Sequence, residues 1–269
     1  MDDSDPPPSP LFAAKRFDEP SVFTPEALVD EARRQKDLPD RAVPDVCLLD
    51  PDGDVVRHLV SAGRAERDET WPGYHTDLYR FDLAGETVGI VGRAVGGPFA
   101  VLVAEQLFAA GCRFLVSVTS SGQVAARDDP PYLVLVDRAL RDEGTSHHYL
   151  PPERPATLDA DLCESVERAC ETLSRPVYTG TAWTTDAPFR ETESAVGRAR
   201  EADVLAVEME AAALYAFAAA RDRPVVCFAY VTNELGRGDE EFEKGESAGS
   251  RAALDAAGAA VRAWRAGDG

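Results

Sequence analysis

Two carboxylates, Glu208 and Glu210, stand two residues apart at the head of an alanine-rich run, and a hydroxyl and an amide, Thr232 and Asn233, close the apolar run that follows. Residues 204–207 are a short apolar stretch, 211–220 read as a helix with Leu214, Tyr215 and Phe217 for packing, and 225–231 read as a second buried strand. Glu208-Met209-Glu210 therefore falls where a strand gives way to a helix. Acidic residues are at home there, because the first helical turn presents unpaired N–H groups and partial positive charge. One reading is thus a well-made helix start. The other is chemical: an ionised carboxylate has two acceptor oxygens and can take both protons of a vicinal diol, such as the 2′- and 3′-hydroxyls of a ribose. In open α/β sheets ligands lie beyond the carboxyl ends of strands, where Glu208, Glu210, Thr232 and Asn233 all fall.

Three more strand ends carry polar residues. Arg93-Ala94-Val95-Gly96-Gly97-Pro98 joins a strand to the apolar helix 99–110, and its glycines let a ligand reach backbone N–H groups or simply make a tight turn. It is not a P-loop, since no Gly-Lys-Ser/Thr follows. Thr119-Ser120-Ser121-Gly122 offers hydroxyls and amides that suit a phosphate or a sugar, or an ordinary Ser/Thr turn. The segment 184–192 holds hydroxyls, Asp186, Phe189 and Arg190; a ring beside a planar cation suits a flat heterocycle, though core packing and a surface charge account for them equally. His147 and His148 are adjacent and point to opposite sides of an extended segment, so joint metal chelation is not expected.

Composition narrows the partners. A formal net charge of −20 repels nucleic acid and anionic membranes, so neither is an expected partner. Lysine is scarce (Lys15, Lys36, Lys244) while arginine is plentiful, a balance suited to a salt-rich cytosol that screens surface self-repulsion. The five cysteines form no Cys-x-x-Cys pair and lie mostly in apolar runs, as reduced buried thiols do. No charged-then-apolar leader opens the chain and no run of about eighteen apolar residues occurs, so a soluble cytoplasmic protein is expected.

Positioning these groups takes a scaffold. Residues 1–20, rich in proline and acid, read as a disordered or arm-like segment, and 21–269 as one domain. Thr24-Pro25 opens a helix running to Lys36; 43–49 is the first core strand, ending in the turn Asp50-Pro51-Asp52-Gly53-Asp54; 55–62 is helical. A hairpin over 78–92, strands at 112–118, 132–136 and 176–183, helices at 158–173 and 193–201, a polar flap at 235–246 and a closing helix at 247–264 complete the chain. The expected fold is α/β, a mixed central sheet flanked by helices on both faces.

The motifs together resemble the nucleoside phosphorylase superfamily: hexameric purine nucleoside and uridine phosphorylases and methylthioadenosine nucleosidases, the uridine type most of all. VEMEAAALY is close to that superfamily's ribose motif, AVGGPFAVLVAEQL followed by FLVSVTSSG to its glycine turn and phosphate-loop strand, EGTSHHYLPP to a DGAS-x-HF-x-P segment, and TTDAPF to S-[SA]-D-x-F-Y. The resemblance implies cleavage of an N-glycosidic bond with no cofactor, inorganic phosphate as co-substrate, a nucleoside as ligand, and a dimer or hexamer. It implies Glu210 and Met209 on the ribose, with Glu208 and Ser120 beside it. Phe189, Arg190, Thr232 and Asn233 fall to the base, Asn233 and Glu210 to catalysis, and Arg93, Ser120 and Ser121 to phosphate. No metal site is implied. The family's phosphate arginines are not matched: DPDGDV stands in place of G-D-P-x-R, and Ser117 and Tyr74 near the other two positions. Three readings follow: a phosphorylase whose anion site is rebuilt on Arg93 or Arg190, a nucleosidase that uses water, or a nucleoside-binding protein without turnover.

Overall fold

A computed structural model describes residues 15–234 and 246–267. Thr24 caps α1 (Pro25–Lys36) by accepting the Ala27 N–H at 3.2 Å, with Pro25 at the first helical position. Five buried residues make β1 (Val46–Asp50), and α2 (Asp54–Ser61) follows the turn. The chain continues through β2 (Ala65–Arg67), the hairpin β3 (Leu78–Leu83) and β4 (Glu86–Gly92), α3 (Gly97–Ala109), β5 (Phe114–Gln123), β6 (Tyr132–Asp142) and β7 (Ala156–Thr157). Then come α4 (Ala160–Cys170), β8 (Val177–Thr185), α5 (Glu193–Glu201), β9 (Ala206–Glu208), α6 (Ala211–Arg221), β10 (Val225–Glu234) and α7 (Glu246–Gly267).

The mixed sheet runs β10-β6-β8-β9-β5-β1-β4-β3-β2, and β10 also pairs in parallel with β5. Five strands therefore close a ring, which removes sheet edges around the site. The helices pack in two sets, α1-α3-α6 and α2-α7-α4. This is the expected α/β fold. Among the described residues no helix is long and apolar enough to cross a membrane.

Several boundaries move for tertiary reasons. The expected hydroxyl loop at 119–122 is strand, because β10 hydrogen-bonds along it and β9 pairs with Gly122 and Gln123 at its end. The segment after Val136 stays in β6 as far as Asp142, since β8 pairs beside it past a bulge. Asp50 belongs to β1 and its carboxylate accepts the Val56 N–H at 2.9 Å. The short strands β2 and β7 have too little periodicity to be read from the sequence. Most of the expected arm, at 1–14, and most of the flap, at 235–245, lie outside the described residues.

Seven successive residues of α6, Ala211 to Phe217, are buried, so the alanines are a packing choice: small side chains let the helix lie close to α3. Its one buried hydroxyl ties three elements together. Tyr215 Oη donates to the Val136 carbonyl and accepts the Cys227 N–H at 3.0 Å. Tyr215→Phe leaves both backbone groups buried without a partner and is expected to cost about 1–3 kcal/mol in urea unfolding, with the remaining folded protein keeping its activity.

Candidate active site

Glu208 ends β9 and has both oxygens engaged. Oε1 accepts the Thr184 hydroxyl, and Oε2 accepts the N–H groups of Glu210 at 2.7 Å and Ala211 at 2.8 Å. Thr184 Oγ1 in turn accepts the Ala212 N–H at 2.9 Å, so β8 and β9 jointly cap α6. Burial pushes the Glu208 carboxyl up, opposed by these three donors. The helix-start reading of the acidic pair is thus realised by Glu208.

Glu210 has a different environment. It is 1% exposed; Oε1 accepts the Gly96 N–H at 2.7 Å, and Oε2 is buried with no hydrogen-bond partner. Burial, reinforced by the charge on Glu208, raises its carboxyl to about 8, against the Gly96 N–H and the Thr119 hydroxyl. The glycine turn explains this approach. Gly96 sits at φ 88°, and a Cβ on Gly97 would lie 2.9 Å from Ala213 Cβ, so α3 and α6 meet this closely only through glycine. The N–H expected to await a ligand is taken by Glu210 itself.

Glu210 opens on a cleft of about 290 Å³ that also brings together Met209, Ser120, Ser121, Thr232 and Asn233. The Ser121 hydroxyl is buried and without a partner, and Thr232 Oγ1 donates to Asn233 Oδ1 at 3.1 Å, which leaves the amide N–H₂ to a ligand. Asp52 lines the same cleft, and its Oδ2 accepts the Ser120 N–H at 2.7 Å. A smaller adjoining cavity, about 40 Å³, is walled by Asp50, Asp52 and Asp54 with Thr119 and Ser120. Burial and the neighbouring Asp52 and Asp54 raise the Asp50 carboxyl to about 7, against the N–H groups of Val56 and Gly53. Among the described residues no lysine or arginine lines either cavity.

The expected cations lie elsewhere. Arg93 has φ 66°, donates its N–H to the Asp50 carbonyl at 3.0 Å and lays its stem over Gly53. Its side chain lines a separate cavity with Arg57, His75 and Tyr79. Phe189 is 99% exposed and Arg190 is exposed; neither lines the cleft. The reason is local: Pro188–Arg190 is a 3₁₀ turn, whose three-residue repeat stacks position 188 over 191 and turns 189 and 190 outward. Pro188 and Glu191 line the cleft instead. His147 and His148 sit on another 3₁₀ turn, beside Arg141 and Lys15 respectively, and neither lines the cleft.

Sequence reasoning missed Asp52 and Glu191. Asp52 lay inside a turn signal that fully accounted for it. Glu191 had a signal, its three-residue offset from Pro188, visible only once the 3₁₀ turn is known.

A family model described as the phosphorylase superfamily matches residues 45–264. The uridine phosphorylase of Thermococcus kodakarensis is 27% identical over 222 residues, 70% of this chain and 79% of that one. The guanosine phosphorylase of Halorubrum lacusprofundi is 29% identical over 134 residues, 50% of this chain and 56% of that one. Among solved structures, the uridine phosphorylase of Vibrio fischeri ES114 complexed with 6-hydroxy-1-naphthoic acid aligns with a TM-score of 0.71 at 21% identity, covering 82% and 92% of the two chains. That last likeness concerns the fold.

Proposed function

The chain belongs to the phosphorylase superfamily, and from that premise we propose that it cleaves the N-glycosidic bond of a nucleoside, with Glu210 holding the ribose diol. One observation carries this reading: Glu210 keeps a buried, unpartnered carboxylate oxygen in a cleft that also holds an unpartnered serine hydroxyl and a free amide N–H₂. A buried acceptor without a partner is costly, and the two hydroxyls of a ribose supply what it lacks. As the C1′–N bond lengthens, positive charge gathers on the ribosyl ring, and the carboxylates of Glu210 and Asp52 stabilise it. The Asn233 N–H₂ donates to the departing base.

For the nucleophile the geometry favours water. The Ser120 N–H, expected to meet phosphate, already donates to Asp52, and Asp50 and Asp54 stand beside it. A dianion entering there meets the charge of these carboxylates beside the hydroxyls of Thr119 and Ser120, with no lysine or arginine among the described lining residues. Asp52 can instead take a proton from water as the oxygen attacks C1′; the C1′–N pair leaves with the base, which then receives that proton by way of solvent, so that nucleoside and water give free base and ribose and Asp52 is restored. Phosphorolysis is the second reading, favoured by the activities named for the relatives from Thermococcus kodakarensis and Halorubrum lacusprofundi. The two part on one measurement. Purine and pyrimidine nucleosides are incubated in molar salt with and without phosphate, and the sugar is identified by chromatography. Free ribose at a rate indifferent to phosphate is the expected outcome; ribose 1-phosphate formed only with phosphate reverses the assignment, and tight binding without product points to a nucleoside-binding protein.

A further inference from the structure

The turn that gives Asp52 to the cleft gives Gly53 to a second cavity, of about 440 Å³, which the glycosidic chemistry does not use. Close packing fixes its walls. α2 rests on the end of β4, since a Cβ on Gly92 would stand 3.0 Å from Val56 Cγ2. The Arg93 stem crosses Gly53, where a Cβ would stand 2.8 Å from its Cγ and 3.4 Å from its Nε. Leu78 pairs with Val91, so the residues entering β3 run beside Gly92 and Arg93. Leu78 is buried, and the alternation of a strand turns Asp77 and Tyr79 the other way, where both line the cavity. Arg93 meets them from a left-handed backbone, φ 66°, that residues with a side chain rarely adopt.

The charge balance there runs against that of the whole chain. The Asp77 carboxylate accepts from Arg67 Nε at 2.9 Å and Nη2 at 2.8 Å, and Arg57 is answered by Asp54 at 2.9 Å. The Arg93 guanidinium has no hydrogen bond, ion pair or ring contact with any described residue, in a chain of net charge −20. Two hydroxyls line the same cavity. Thr76 Oγ1 accepts the Trp71 indole N–H at 3.1 Å and keeps its own proton to donate, and Tyr79 Oη is unengaged among the described residues. Val56 and the exposed Val60 add an apolar wall.

We propose that this cavity is an anion site separate from the cleft, and that it takes a phosphomonoester, the phosphate on Arg93 and the organic part against Val56 and Val60. A guanidinium gives a phosphate two parallel N–H bonds, and the Thr76 and Tyr79 hydroxyls supply further donors. A bare phosphate fills only a corner of a cavity this size, which suits a small organic ligand. The assignment stands apart from the nucleoside reading, since none of these side chains lines the cleft.

The test is titration calorimetry with phenyl phosphate and with inorganic phosphate at a fixed concentration of potassium chloride. Phenyl phosphate carries a dianion and a ring but no diol for Glu210. Wild-type protein is expected to bind it more tightly than inorganic phosphate, because only the ester reaches the apolar wall. Arg93→Gly is expected to weaken phenyl phosphate about tenfold or more, the loss of charge-assisted hydrogen bonds. Its Tm is expected to be unchanged or raised, since glycine takes φ 66° without strain, so the loss is of a ligand group and not of the fold. Glu210→Gln is expected to bind phenyl phosphate as wild type does. Binding lost in Glu210→Gln and kept in Arg93→Gly puts the anion in the cleft and overturns the proposal. Equal affinity for the two probes overturns the role of the apolar wall. No binding by wild type, or the same binding by wild type and Arg93→Gly, overturns the site altogether.

Discussion

Glu210→Gln is expected to lower kcat/KM for a nucleoside by about a thousandfold. The glutamine keeps one oxygen for the Gly96 N–H, and it presents an N–H₂ to the diol where a second acceptor stood. Two charge-assisted hydrogen bonds are lost, each about 1.5–3 kcal/mol, and each 1.4 kcal/mol is about tenfold in rate. The same protonation logic sets a pH profile for wild-type protein. With its carboxyl raised to about 8, Glu210 carries a proton below that pH and cannot accept both hydroxyls, so kcat/KM is expected to fall about tenfold per unit as pH drops below 8. A flat profile between pH 6 and 9, or a glutamine variant of undiminished rate, places the ribose elsewhere.

The substitution also has a stability signature with a definite sign. In the unfolded chain this carboxyl ionises near 4.5, in the folded protein near 8. Between those values the unfolded state gives up its proton while the folded state keeps it, so wild-type stability declines as pH rises through the window. Glutamine does not titrate. Glu210→Gln is therefore expected to raise Tm above pH 8 and to lose that advantage below about pH 4.5. An inactive variant that melts higher than wild type separates loss of chemistry from loss of fold.

Asp52→Asn carries the second large effect. The asparagine oxygen still accepts the Ser120 N–H, so the strand keeps its partner, but the group can no longer take a proton from water. Phosphate-independent release of ribose is expected to fall about 10²- to 10⁴-fold. Removing the negative charge also makes the pocket less hostile to a dianion, so phosphate is expected to stimulate the variant where it leaves wild type unmoved. Unaltered hydrolysis by Asp52→Asn removes Asp52 from the mechanism.

Much of this architecture was readable before any coordinates. Periodicity located most of the strands and helices, and the glycine turn and the Glu208-Met209-Glu210 junction marked the strand ends that meet in the cleft. The family model bears out the motif resemblance. Local pattern and fold diverge where a residue's partner is remote. The hydroxyl run 119–122 has the composition of a loop, and its own sequence cannot show that β10 and β9 will pair with it. A cation beside glycines suits a phosphate, as expected of Arg93, yet its left-handed backbone directs the stem across Gly53 into another cavity.

That two carboxylates stand at a strand-to-helix junction of an acidic α/β protein is written in the chain's own residues, because periodicity, capping and charge are local properties. Their division of labour arises from long-range contacts. Glu208 and Glu210 are two residues apart and chemically identical; one is consumed by helix N–H groups and Thr184, the other meets Gly96, 114 positions away, and keeps an oxygen for the cleft. The same holds for Asp52, whose bond to Ser120 spans 68 positions. Which acid is structural and which faces a ligand depends on contacts that chain folding alone brings together, and no local pattern encodes them.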